Sequence, residues 1–134
     1  METVNQIEYN GALYNIQDAE AQKSLIYSQN EIDTGKIWID GKKIFRKVVD
    51  CGYLLNKNVK TVEHNIKNID TIVKINSIGY ENNQNYLPIP YVHNITQGQG
   101  GITLYINKTN IVLRTYGDRT EVKVLVTLEY TKTN

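Results

Sequence analysis

With 134 residues and a mass of 15.4 kDa, the chain has room for one domain, or for one domain and a short appendage. Its 15 Lys plus Arg stand against 14 Asp plus Glu, a balance that argues against nucleic acid as a partner, since that needs a basic field. The single Cys51 excludes an internal disulfide, no apolar stretch approaches the roughly 18 residues of a membrane span, and METVNQIEYN lacks the basic head and apolar run of a signal peptide.

Alanine is scarce while Ile, Asn, Tyr, Thr and Val abound, which favours strands joined by Asn-rich turns over a helical fold. In chain order, Gln6–Tyr9, Asn10-Gly11 and Ala12–Ile16 predict a hairpin, because Asn-Gly readily takes the positive φ angles of a type I′ turn. Asp18 to about Ser28 is the one expected helix, with Asp18 as N-cap and an incomplete apolar stripe of Ala19, Ala21, Leu25 and Ile26. It is too short to persist alone, and two outcomes stay open: a small bundle with other copies, or docking on its own domain. Gln29 to Gly35 reads as a polar linker. Lys36–Asp40 and Lys43–Asp50 predict a second hairpin with Asp40-Gly41 at its turn, and Val59–His64 a short strand. Thr71–Gly79 is apolar on both faces and is expected to be buried on both, in part against other copies of the chain. Pro88 and Pro90 demote Tyr86–Val92 to an edge strand or fixed loop. Gly98 to Gly101 reads as a flexible turn, Ile102–Asn107 and Asn110–Thr115 as a third hairpin, and Tyr116–Arg119 as the next turn. Glu121–Thr131 closes the chain with clean alternation, Val122, Val124, Val126, Leu128 and Tyr130 on one face. Roughly seven short strands with turns between them predict a mainly β fold, an antiparallel β-sandwich head behind an N-terminal hairpin and one short helix.

Catalytic patterns are missing. His64 and His93 share no zinc spacing with Cys51, and Ser24, Ser28 and Ser77 lack a nucleophile-elbow context. Gly98-Gln99-Gly100-Gly101 lacks the Lys-Ser/Thr of a phosphate loop. Asp33, Asp40, Asp50, Asp70 and Asp118 are scattered, with nothing that points to a glycosidase pair. No catalytic, cofactor-binding or metal-binding residue is therefore assigned. His64 is expected as a buried, hydrogen-bonded histidine, Trp38 as core packing rather than a sugar platform, and Cys51 as a small core filler or linker residue. Asn94-Ile95-Thr96 and Asn107-Lys108-Thr109 match the glycosylation pattern by chance in a chain this rich in Asn and Thr.

Two stretches carry a resemblance. Tyr9-Asn10-Gly11 through Tyr14-Asn15-Ile16-Gln17-Asp18-Ala19-Glu20-Ala21 is similar to the segment that opens many tail-fibre and head-fibre proteins of bacteriophages. Gly35-Lys36-Ile37-Trp38-Ile39-Asp40-Gly41-Lys42-Lys43-Ile44-Phe45-Arg46-Lys47 resembles the opening of a β-rich module of phage fibres and baseplates. Val62–Ile66 with Asn68–Asp70, Leu87–Tyr91 and the closing Val126–Thr133 resemble its later motifs. The resemblance implies a virion appendage protein, assembled in the bacterial host cytoplasm and usually homotrimeric. Residues 1–30 would attach to other virion proteins and trimerise. Residues 36–134 would form a distal β head that contacts the host envelope without catalysis, cofactor, nucleic acid or membrane insertion. Trp38, Asp40 and Gly41 carry over as fold markers. Only a short linker replaces the long shaft of many relatives, which favours a head fibre or baseplate tip.

Ten tyrosines and many asparagines suit a glycan-recognising surface, since Tyr rings stack on sugar C–H faces while Asn amides pair with hydroxyls. Loops on a rigid scaffold are the usual place for such a site. The candidates are Tyr80, Asn82, Asn83, Asn85 and Tyr86 in one loop, and Tyr116, Asp118 and Arg119 in another. Two further expectations compete with a glycan-binding head: a structural capsid or baseplate decoration protein, and a glycan depolymerase.

Overall fold

The computed structural model describes residues 6–9, 12–15, 25–82, 84–92 and 100–133, the first two of these segments by their backbone only. The protein is mainly β, with ten strands among the described residues: β1 (Gln6–Tyr9), β2 (Ala12–Asn15), β3 (Ile32–Ile37), β4 (Lys43–Tyr53), β5 (Val59–Glu63), β6 (Ile69–Glu81), β7 (Asn85–Ile89), β8 (Ile102–Ile106), β9 (Asn110–Thr115) and β10 (Val122–Lys132). β1 pairs antiparallel with β2, Tyr9 opposite Ala12. The predicted turn Asn10-Gly11 lies outside the described residues, as do residues 18–24 of the predicted helix, Asn83, His93, Asn94-Ile95-Thr96 and the first part of the Gly98–Gly101 turn. The last stretch assigned to that helix, Ile26–Ser28, has no regular structure.

Two antiparallel sheets make up the rest, one ordered β3-β4-β10-β6-β7 and one ordered β5-β9-β8. β10 sits at the centre of the larger sheet because its alternation is the cleanest in the chain. Val122, Val124, Val126, Leu128 and Tyr130 are all fully buried. They join Val49, Cys51, Leu87 and Ile89 of the same sheet and Ile102, Ile111 and Leu113 of the smaller one in a single apolar cluster. Each such Val or Leu contributes about 1.5–3 kcal/mol by leaving water. Gly79 stands opposite Val124 in register, and a Cβ there would lie 2.9 Å from Val122 Cγ1. A glycine inside a strand is explained by that close packing.

Two expectations are corrected. The polar stretch Gln29 to Gly35 is no free linker, since Ile32–Gly35 begin β3. Its polar residues are tolerated because β3 is an edge strand, and Thr34 is buried with its hydroxyl donating to the Ile44 carbonyl at 2.7 Å. Trp38 is not core. The Gly41 amide donates to the Trp38 carbonyl at 2.9 Å and Gly41 takes φ +84°, so Trp38 to Gly41 form the hairpin turn, with Trp38 half-buried and Ile39 91% exposed at the tip. By contrast, Thr71–Gly79 keeps apolar surface that its own chain does not cover, with Ile75 49% exposed on the face towards the smaller sheet and Ile78 37% exposed on the other, as a strand that asks for burial against other copies should.

Other expectations hold. β7 is an edge strand, with Pro88 opposite Ile78. The third hairpin forms as β8 and β9, where the Asn107 side chain accepts the amides of Thr109 and Asn110, an Asx-type turn. His64 is buried, its Nε2–H donating to the Asn107 carbonyl at 3.0 Å and its Nδ1 accepting the Ile66 amide at 3.2 Å. Cys51 lies in the core, where burial pushes its thiol up to about 11.

The outer face of the larger sheet carries a buried ion pair. Arg46 and Glu129 stand opposite in register, with Arg46 Nη2 donating to Glu129 Oε2 at 2.8 Å. The N-terminal segment closes over it: Arg46 Nη1 donates to the Ile26 carbonyl and the guanidinium lies 4.5 Å from the Tyr27 ring centroid. Glu31 accepts from the Tyr130 hydroxyl at 2.7 Å, and burial with this bond pushes the phenol upward, so it stays a donor. Glu129→Ala would leave Arg46 buried without its carboxylate, and we expect a loss of about 3–5 kcal/mol in urea unfolding, against under 1 kcal/mol if the pair were solvated. Cys51 is expected to resist a disulfide-exchange reagent at pH 8 until the protein unfolds, because too little thiolate exists and access is closed. Rapid labelling of the folded protein would contradict its placement.

Candidate functional site

Register places a row of side chains across four strands on the outer face of the larger sheet. Lys123 of β10 stands opposite Tyr53 of β4 and opposite Tyr80 of β6, and Tyr80 stands opposite Tyr86 of β7. Strands lie about 4.8 Å apart, so the row from Tyr53 to Tyr86 spans roughly 14 Å. Tyr80 and Tyr86 meet edge to face at 5.4 Å between centroids, a geometry that fixes both rings. Tyr53 and Tyr86 are well exposed.

An open groove of about 580 Å³ runs along this row, lined by Tyr53, Tyr80, Asn82, Thr120, Glu121, Lys123 and Leu125. Its cation Lys123 pairs with Asp50 at 3.2 Å, while Glu121 keeps its negative charge and accepts from Asn82 Nδ2 at 2.7 Å. The result is an aromatic-walled trough with an apolar floor at Leu125, rimmed by hydroxyl, amide, carboxylate and ammonium groups. Such a surface matches a ligand with C–H faces and many hydroxyls.

The loops that bound the trough are tied together. Leu54 and Lys57 amides donate to the Val122 and Gly117 carbonyls at 2.8 Å each, and Asn56 bridges Asp118. Asp118 Oδ1 accepts the Thr120 amide and hydroxyl, which holds its carboxyl below the usual range. Among the described residues no group of three His, Cys, Asp or Glu side chains could hold a metal ion.

Of the predicted residues, Tyr80 and Asn82 line the trough and Tyr86 extends its row. Asn85 lies at the β7 start, its amide donating to Glu81 Oε1 at 3.1 Å. Tyr116 belongs to a second, smaller pocket, and Asp118 serves the loop. Arg119 is only 3% exposed; it donates to Glu81 and to the Gly100 carbonyl and lies 5.3 Å from the Tyr91 ring, so it ties three segments together inside the protein. Tyr53, Thr120, Glu121, Lys123 and Leu125 were not foreseen. One signal existed: on the otherwise polar face of Glu121–Thr131, Leu125 is the single apolar residue. Compared with protein-family models, with curated proteins and with solved structures, the chain matches none.

The sign of the Asp118 effect sets a pH test. Its folded pKa is lowered, so the carboxylate favours the folded loop above the usual value near 4 and that contribution disappears as pH falls through the lowered value. The protection factor at Thr120, taken relative to the intrinsic exchange rate at each pH, is expected to begin falling below about pH 4, and Asp118→Ala to lower it already at neutral pH. Unchanged protection at Thr120 in the variant would refute the assignment.

Proposed function

We propose that this chain is a bacteriophage virion appendage protein whose β head binds a host-surface glycan without catalysis. The row Tyr53–Lys123–Tyr80–Tyr86 over the trough is the observation that carries this reading, because it sets aromatic rings beside hydrogen-bonded polar groups on the strands of a sheet. The resemblance of residues 35–47 and of the later motifs to phage fibre modules supplies the biological setting. In this reading the two sheets form a sandwich head, and residues 1–30, with a hairpin and a short helix, attach to other virion proteins and trimerise. The exposure of Leu25, Ile26, Ile75 and Ile78 supports joint burial among three copies. Three weak sites on one particle then gain by multivalency.

Two measurements test the reading. Light scattering of the full chain is expected to give a trimer mass, and a stable monomer would count against the assembly. On a glycan array, the full chain is expected to bind bacterial surface polysaccharide, with Tyr80→Ala and Tyr53→Ala each weakening binding tenfold or more. Absence of glycan binding by the intact chain would favour a capsid or baseplate decoration role instead, and release of reducing ends from the polysaccharide would favour a depolymerase.

A further inference from the structure

A second pocket, about 250 Å³, opens on the outer face of the smaller sheet and is lined by Lys57, Asn58, Val59, Arg114, Thr115 and Tyr116. Its neutral polar groups are already used. Asn58 donates its amide to Thr115 Oγ1 and accepts the Val59 amide at its own Oδ1, while the Thr115 hydroxyl donates to the Leu55 carbonyl. Its two cations are not used in this way: neither Lys57 nor Arg114 forms an ion pair with any described carboxylate. The register partners of Arg114 are Val59 and Thr103, both neutral. Asp118, the carboxylate closest in sequence, is taken by Thr120.

The backbone of Lys57 adds an independent observation. Lys57 holds φ +50°, a left-handed conformation that costs a residue of this type free energy, and its amide is fixed on the Gly117 carbonyl at 2.8 Å. Strained non-glycine residues of this kind concentrate at ligand sites. Lys57 lines the same pocket as the planar, fork-shaped donor set of Arg114 and the half-exposed Tyr116. An arginine fork with a neighbouring ammonium fits a planar or tetrahedral oxyanion.

We propose that this pocket is an oxyanion subsite, taking a carboxylate or phosphate carried by a saccharide, with Arg114 as the bidentate donor, Lys57 as the point charge and Tyr116 against the sugar ring. The saccharide part rests on the glycan reading above; the oxyanion part rests on the pocket alone. Because the trough pairs its one lysine with Asp50 and keeps the Glu121 carboxylate, while this pocket holds two cations outside any ion pair among the described residues, acidic sugars are directed here and neutral ones to the trough.

The test is a two-dimensional NMR titration of the full chain with four probes: a glucuronate-bearing disaccharide, glycerol phosphate, inorganic phosphate and a neutral hexose disaccharide. Both acidic organic probes, or whichever carries the matching oxyanion, are expected to shift the amides of Val59 and Tyr116, to bind at least tenfold more weakly to Arg114→Gln, and to weaken as salt rises. Lys57→Asn keeps a residue that tolerates the left-handed backbone while removing the charge, and is expected to weaken them as well. A tighter complex with the disaccharide identifies a carboxylate, one with glycerol phosphate a phosphate. Shifts at Val59 and Tyr116 that survive Arg114→Gln, or no shifts there, overturn the subsite, and inorganic phosphate binding as tightly as either organic probe overturns the saccharide-borne ligand. If the neutral disaccharide still shifts Tyr53 and Tyr80, only this inference falls; if no probe shifts either place, the glycan reading falls with it.

Discussion

The burial of one face of β10 sets the position of everything else in this protein. Val122, Val124, Val126, Leu128 and Tyr130 give up all contact with water, so the strand cannot slip by one residue without turning five apolar side chains outward. With that register fixed, the opposite face is fixed too. It carries Lys123 at one end and Glu129 at the other, and each meets a partner that only this alignment supplies: Tyr53 and Tyr80 around Lys123, Arg46 opposite Glu129.

The two ends of that outer face do different work. At the Glu129 end the buried Arg46 holds the N-terminal segment through Ile26 and Tyr27, and the Val48 amide donates to the Ser28 carbonyl, so this segment follows a set path along the larger sheet. A buried pair of this kind adds little net stability over an apolar equivalent, but its loss on one side is costly, which makes it a device for fixing geometry. At the Lys123 end Tyr53 and Tyr86 remain open to solvent, and strand pairing sets Tyr53 apart from the Tyr80–Tyr86 edge-to-face pair. Binding there requires little reordering, because the rings stand on a sheet whose hydrogen bonds are already made.

Much of the fold was legible in the residues. The alternation of Glu121–Thr131, the Asp40-Gly41 turn and the Pro88 edge strand all follow from local chemistry. What could not be read locally was set by distant partners. Trp38 looked like core because it sits between two isoleucines, yet the positive φ of Gly41 puts it in a turn. Ile32–Gly35 looked like a linker because their polarity is tolerable only at an edge, and edges are assigned by topology. Arg119 looked like a recognition residue in a loop, but its partners Glu81 and Gly100 lie far away in sequence. Tyr53 and Lys123 join Tyr80 only through pairing between strands some seventy and forty residues apart, which no spacing rule in the sequence reveals.

The central claim is that the outer-face tyrosine row is a preformed saccharide platform. Its most direct test is to follow the ring signals of Tyr53, Tyr80 and Tyr86 and the methyl signals of Leu125 in the full chain while titrating bacterial surface oligosaccharides. Shifts centred on these four residues, with the β-sheet amides otherwise unmoved, are the predicted result. Binding that leaves all four signals in place, or that rearranges the sheet around β10, would contradict it.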